Sequence, residues 1–445
     1  MRRAAALWLA LFAVYAAGAG LHASPGEDLS EPEAHYLLLT RSIVDDGNLD
    51  LSDEYGSAAW LPFYGKQLVP LTGPREHGQL EPIAAGFPLL CAPAYALGGR
   101  IAVELWLGAL AALGFVAAAA IARRLVPEPW ATRGVLAVGL SPPAVIAATT
   151  ISPDAVGASA LAGAAALALD ARERPLTRLT AWSGTLLAAL PWLAVKLLAP
   201  GAVVAAALVR WPRRRQRGLV GLVGLEVALF SLVLFVSIND RLYGGLTPYA
   251  VLPAGVSPTG AHGVVDHLER WPRLIWLWVG PPQGLLLWGP VSALAFVAVW
   301  LLTRSRREHL ARALGDQVDV EVTATFLVTI AATAILVAAF LAPTIAGPWF
   351  AGHELVIVLP ILAALSAWGL RRYPRIGAAL CAITLAFTLW TLIATRIDDG
   401  TTLAPPRGAL PWTAQSPATP VGSRTSIGHT SAQGPQAADR RRDGD

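Results

Sequence analysis

Apolar runs of helix length recur along almost the whole of this chain, and they leave one architecture open. After Met1-Arg2-Arg3 the first run reaches about Leu21. Others lie near 101–122, 133–150, 154–170, 180–195, 197–209, 218–237, 284–302, 322–342, 354–370 and 376–394. A helix rises about 1.5 Å per residue, so roughly 20 apolar residues cross the hydrocarbon of a bilayer. Composition points the same way. Hydrophobic residues make up 55% of the chain and charged residues only 14%, where soluble domains carry about 25% charged. Such a chain cannot cover itself with a solvated surface, and collagen, coiled coil and intrinsic disorder are excluded with it. The expected fold is an all-α integral membrane protein with about eleven transmembrane helices, the first an uncleaved span rather than a signal peptide.

The net charge of +4 is not a nucleic-acid signature, because the basic residues mark topology. Of 34 basic residues only Lys66 and Lys196 are lysines. Arg2-Arg3, Arg123-Arg124, Arg172/Arg174/Arg178, Arg210 to Arg217, Arg304/Arg306/Arg307 and Arg371-Arg372/Arg375 fall at every second loop. Positive-inside logic puts all six on the cytoplasmic face, with the N-terminus inside. The outer loop 22–100, the loops near 151–153, 238–283 and 343–353, and the C-terminal tail are then extracytoplasmic. Residues 1–395 form the membrane domain of a multi-pass protein of the cytoplasmic membrane. Residues 396–445, rich in Pro, Ser, Thr and Gly, have too little apolar surface to fold and are expected as a disordered tail. Cys91 and Cys381 both sit in apolar stretches and are expected as small buried hydrophobes.

The first outer loop differs from the rest. Between residues 21 and 81 it holds eleven acids against Arg41, Lys66 and Arg75. Ser30-Glu31-Pro32-Glu33 has the S-x-x-E form of a capping box, with Pro32 tolerated in the first turn. A helix from about Glu31 to Asp45 places Tyr36, Leu37, Ile43 and Val44 near one face and could rest in the membrane interface. Gly47 ends it. The Pro- and Gly-broken stretch 82–99 reads as a second interfacial helix leading into the span at about 101.

Here the residues resemble a family. Glu33-Ala34-His35-Tyr36 is similar to the loop motif of the C-type membrane glycosyltransferases, which include protein O-mannosyltransferases and lipid A aminoarabinose transferases. Asp46-Gly47-Asn48-Leu49-Asp50-Leu51 with Tyr55, Gly86-Phe87-Pro88-Leu89-Leu90, and Gly347-Pro348-Trp349-Phe350-Ala351-Gly352-His353 resemble further loop segments of that family. Two positions depart: Pro32 stands where the family usually has Asp, and His353 where it has Arg. The resemblance implies transfer of a sugar from a polyprenyl-phosphate donor to a lipid, glycan or protein acceptor at the outer face of the membrane, by inverting displacement. No cofactor follows with certainty, and a divalent cation is the candidate. No nucleic-acid partner is expected.

A carboxylate must accept the acceptor's proton, and cations must stabilise the departing phosphate. Glu31 lies one helical turn before His35, so it ranks first as base. Asp28 comes second, and Glu33, claimed by the cap, third. Asp154, equally an N-cap candidate, is next. His35, Lys196, Arg241, Tyr243 and His353 are the donor-contact candidates, with snorkelling the competing role for Lys196. Glu226, mid-span, is expected to be paired inside the bundle. No C-x-x-C, H-E-x-x-H, P-loop or dinucleotide fingerprint is present, so no metal site is expected. The alternatives are a transporter or flippase for a lipid-linked substrate, which would need polar residues at the midplane of several spans, and an inactive transferase-like scaffold.

Overall fold

The computed structural model describes residues 2–21, 29–74, 78–214, 218–281, 284–312, 315–343, 350 and 352–397. The expected tail lies outside them from residue 398 onward. The described chain is helical. It runs through α1 (Arg2–Gly18), α2 (Glu31–Asp45), α3 (Ser52–Gly56), α4 (Gly86–Leu125), α5 (Trp130–Gly139), α6 (Pro142–Thr149) and α7 (Pro153–Glu173). Next come α8 (Thr177–Leu193), α9 (Leu198–Arg214), α10 (Gly218–Tyr243), α11 (Val264–Leu268) and α12 (Arg273–Val279). The last are α13 (Leu285–Trp288), α14 (Leu294–Arg312), α15 (Gly315–Leu341), α16 (Leu359–Arg372) and α17 (Pro374–Ile397).

Every expected apolar run is helical, but fewer helices than expected are long enough to cross a membrane alone. Among the described residues, six pass on length and composition: α4, α7, α10, α15, α16 and α17 with their immediate extensions. The pair α5 and α6, bent by 62° at Leu140-Ser141, makes a seventh if it acts as one span. Helices α1, α8 and α9 have 17 residues each. The run near 284–302 is interrupted by a 3-10 turn, Pro290–Ala293, where proline lacks the N–H that would continue the helix.

Helix α4 bears out the break expected before residue 101. Its backbone leaves helical geometry at Gly98 and Gly99, the latter at φ 59°, ψ −147°. That region is essentially closed to residues with a Cβ. The helix therefore turns between the Pro-broken segment and the long apolar one.

Arg124 and Arg172 mark one end of the bundle. Arg124 pairs with Asp170 and Glu173, and Arg172 with Asp319 at 2.5 Å, joining the ends of α4, α7 and α15. Asp154 sits at the other end of α7, about 30 Å away at 1.5 Å per residue. The acidic loop packs at that second end.

Helix α2 packs on two cores, and the buried place expected for Glu226 needs correction. Leu37 joins the main bundle core, while Ala34, Leu38 and Leu39 join a second core with Leu51, Trp60, Tyr64, Leu68 and Ile83. The loop after α2 folds back over its far side, so the helix is covered on both. Glu226 is not inside the bundle but exposed on α10. The reason lies two residues earlier. Gly224 packs so closely on α8 that a Cβ would stand 2.3 Å from the Thr180 carbonyl oxygen, and two residues along a helix is a rotation of about 200°. Burying Gly224 turns Glu226 outward. Both cysteines are free thiols, Cys91 buried and Cys381 half-buried.

Candidate functional site

The site is built from the start of α2 outward. Ser30 caps the helix, and the Glu33 side chain returns to it: Oε2 accepts from Ser30 N at 2.9 Å and from Ser30 Oγ at 2.6 Å. Oε1 accepts from the backbone N–H of Ile151 at 2.9 Å. Glu33 thus closes the capping box and ties α2 to the turn between α6 and α7. Burial pushes its carboxyl above the ordinary range, against the pull of those hydrogen bonds. Its oxygens are engaged by structure.

Two residues on, His35 is buried with Nδ1 2.8 Å from Glu81 Oε1. The Tyr55 hydroxyl donates to the same Glu81 oxygen and lies 3.0 Å from His35 Nδ1. Burial, reinforced by the Glu81 charge, holds the Tyr55 phenol well above its usual value. This cluster joins α2, α3 and the segment before α4; His35 and Glu81 are buried in it and Tyr55 is half-buried.

Tyr36 leads to a cavity of about 530 Å³. Its polar lining includes Asp154, Lys196, Tyr249, His353 and Glu354. Apolar residues, Ala334, Val337, Ala338, Leu341 and Ile357 among them, make up much of the rest. Lys196, on the 3-10 turn Val195–Leu197 between α8 and α9, places Nζ 2.8 and 3.0 Å from the two Asp154 oxygens. Asp154 stands in the first turn of α7, where the helix dipole favours a negative charge. His353 Nε2 lies 3.1 Å from Glu354 Oε1. The Lys196 side chain keeps 35% of its surface exposed against 12% for Asp154. An ammonium has three donors, so beside Asp154 it retains capacity for a ligand oxygen. Burial first, and the Asp154 charge next, raise the Tyr36 phenol, which stays protonated and able to donate. Arg270 and Arg273 close one rim by donating to the carbonyls of Phe340, Ala342 and Pro343 at the end of α15.

Three of the residues singled out from sequence therefore meet in one place: Asp154, Lys196 and His353. The others do not join them. Glu31 is exposed on the first turn of α2, Glu33 serves the cap, and His35 is taken up by Glu81 and Tyr55. Arg241 is exposed in the last turn of α10, and Tyr243 is buried with its hydroxyl donating to the Ile83 carbonyl at 3.1 Å. Asp28 lies outside the described residues, as do Gly347 to Trp349 and Ala351 of the late motif. Sequence reasoning missed Glu81, Tyr249 and Glu354. Glu354 had a signal, since an acid heading an apolar run is costly without a role. Glu81 heads the Pro-broken stretch in the same way. Tyr249 had none.

No family model matches the chain, and no curated protein matches it in sequence. Solved structures do match in fold. ArnT from Cupriavidus metallidurans in the apo state superposes with a TM-score of 0.50 at 15% identity, over 88% of this chain and 70% of that one. The same protein bound to undecaprenyl phosphate gives 0.53 at 15% identity, over 88% and 71%. At this identity the likeness is one of fold. The fold is thus the one that the loop motifs at Glu33–Tyr36 and Gly86–Leu90 led us to expect.

Proposed function

We propose that this protein transfers a sugar from a polyprenyl-phosphate-linked donor to an acceptor hydroxyl or amine, at the outer face of the cytoplasmic membrane. The observation that carries the reading is the Lys196–Asp154 pair in the lining of a cavity whose remaining lining is largely apolar. A lipid-linked phosphate combines the same two characters, a charged head on an apolar tail. The undecaprenyl phosphate bound by ArnT supports this class of donor.

In this reading the phosphate oxygens meet the exposed part of Lys196 and the Tyr36 hydroxyl. The acceptor attacks the anomeric carbon from the side opposite the phosphate. Its bond to that carbon forms as the carbon–oxygen bond to phosphate breaks, and the configuration inverts. The electron pair leaves with the polyprenyl phosphate, whose added charge Lys196 stabilises. The acceptor's proton passes to the Asp154 carboxylate, released from Lys196 as the ammonium turns to the phosphate. Glu33 has no part in the transfer, because its oxygens hold the cap.

Purified protein incubated with labelled polyprenyl-phosphate sugars and a membrane extract as acceptor tests the reading. Lys196→Met keeps much of the stem and deletes the charge. A charged hydrogen bond is worth about 1.5–3 kcal/mol, so donor affinity should fall roughly ten- to a hundredfold. Wild-type protein that neither binds nor consumes such donors would overturn the proposal.

A further inference from the structure

We infer that the first outer loop holds a hard divalent cation of the Ca²⁺ class, ligated by Asp46, Asp53 and Glu54. The site lies where the loop brings the end of α2 against the start of α3, apart from the cavity described above. One carboxylate oxygen from each residue lies within 4.8 Å of the others. Two oxygens on opposite sides of a Ca²⁺ ion, each at 2.3–2.6 Å, stand about 4.6–5.2 Å apart, so one ion can reach all three. The shorter Mg²⁺ bonds, about 2.0–2.1 Å, need a tighter set.

Glu54 supplies the second observation. It is 4% exposed, and neither of its carboxylate oxygens has a hydrogen-bond partner among the described residues. Buried carboxylates are paired, hydrogen-bonded or metal-bound. Among the described residues no cation forms an ion pair with any of the three acids. Arg41, the nearest base in sequence, is spent on Asp45 at 3.0 Å and on the Ala59 carbonyl.

The other polar groups of the loop are already satisfied. Asp50 Oδ1 accepts from Ser52 N, Ser52 Oγ and Gln79 N at 3.0, 2.6 and 2.7 Å. Asn48 Oδ1 accepts from Asp50 N at 2.8 Å. These bonds build the turn, while the three acids remain. An all-carboxylate set without His or Cys selects Ca²⁺ over Zn²⁺. The ion would pin α3 to α2, and with it Tyr55, which follows Glu54 and closes on Glu81.

The test needs no transfer assay, so it stands or falls apart from the proposed function. Full-length protein in detergent, stripped with EDTA, is titrated with CaCl₂, MgCl₂ or ZnCl₂ and melted. In parallel, Tb³⁺ emission is excited through Tyr55 and Trp60, whose rings lie 5.6 Å apart beside the site. Ca²⁺ should raise the melting temperature saturably and displace Tb³⁺. Glu54→Gln should move both midpoints at least tenfold to higher concentration, while Asp45→Asn leaves them in place. A wild-type protein indifferent to Ca²⁺, an equal response from Glu54→Gln, or a response to Zn²⁺ alone would each overturn the assignment.

Discussion

Glu33→Gln separates the two roles a carboxylate can have at the head of α2. The amide is nearly isosteric but carries one acceptor oxygen where the carboxylate had two. If that oxygen keeps the bond from Ile151 N, the NH₂ group faces the Ser30 N–H, donor against donor. The Ser30 hydroxyl can rotate to accept, but the Ser30 N–H cannot. Glu33 is 3% exposed, so water does not repair the loss. An orphaned buried donor costs about 1–3 kcal/mol, and the bond from Ser30 Oγ loses its charge assistance, about half its strength. The expected destabilisation is about 2–3 kcal/mol, read as a melting temperature several degrees lower in detergent. Turnover per folded molecule should stay within about twofold, whereas removing a general base costs about 10²–10⁴ in rate. Thermal melts and a labelled-donor assay on the same preparation measure both. A variant that melts like wild type but turns over a hundredfold more slowly would refute the capping assignment and restore Glu33 as the base.

Two further outcomes are expected. Asp154→Asn should lower turnover by about 10²–10⁴ with donor binding retained, measured by transfer assay and donor titration; unchanged turnover would move the base elsewhere in the cavity, to Glu354 first. A cysteine at position 50 should react with an impermeant thiol reagent in intact cells and one at position 214 should not, since the Arg clusters set opposite sides for them; the reverse pattern would sink the topology.

What was legible in the sequence was local along the chain. Hydropathy and Arg spacing fixed the membrane class, because they follow from the cost of placing polar groups in hydrocarbon. The capping box at Ser30 and Glu33 and the break before Ile101 were readable for the same reason: a cap spans three residues, and Gly98-Gly99 interrupts a helix wherever that helix lies. Lys196 and Asp154 could be picked out singly, as charges among apolar neighbours. Nothing in the sequence showed that they pair across 42 positions, or that Ile151 would claim Glu33 across 118. Those outcomes depend on which helix faces meet, and that is settled by packing over the whole bundle. Gly224 against Thr180 sent Glu226 outward. The fold-back of residues 49–74 and 78–83 over α2 buried His35 with Glu81 and left Glu31 on the surface. The sequence supplied the charged groups and the end of the molecule where they lie, but only the tertiary structure decided which of them face a common cavity, because a side chain's partner across the bundle is set by helix rotation that no local pattern encodes.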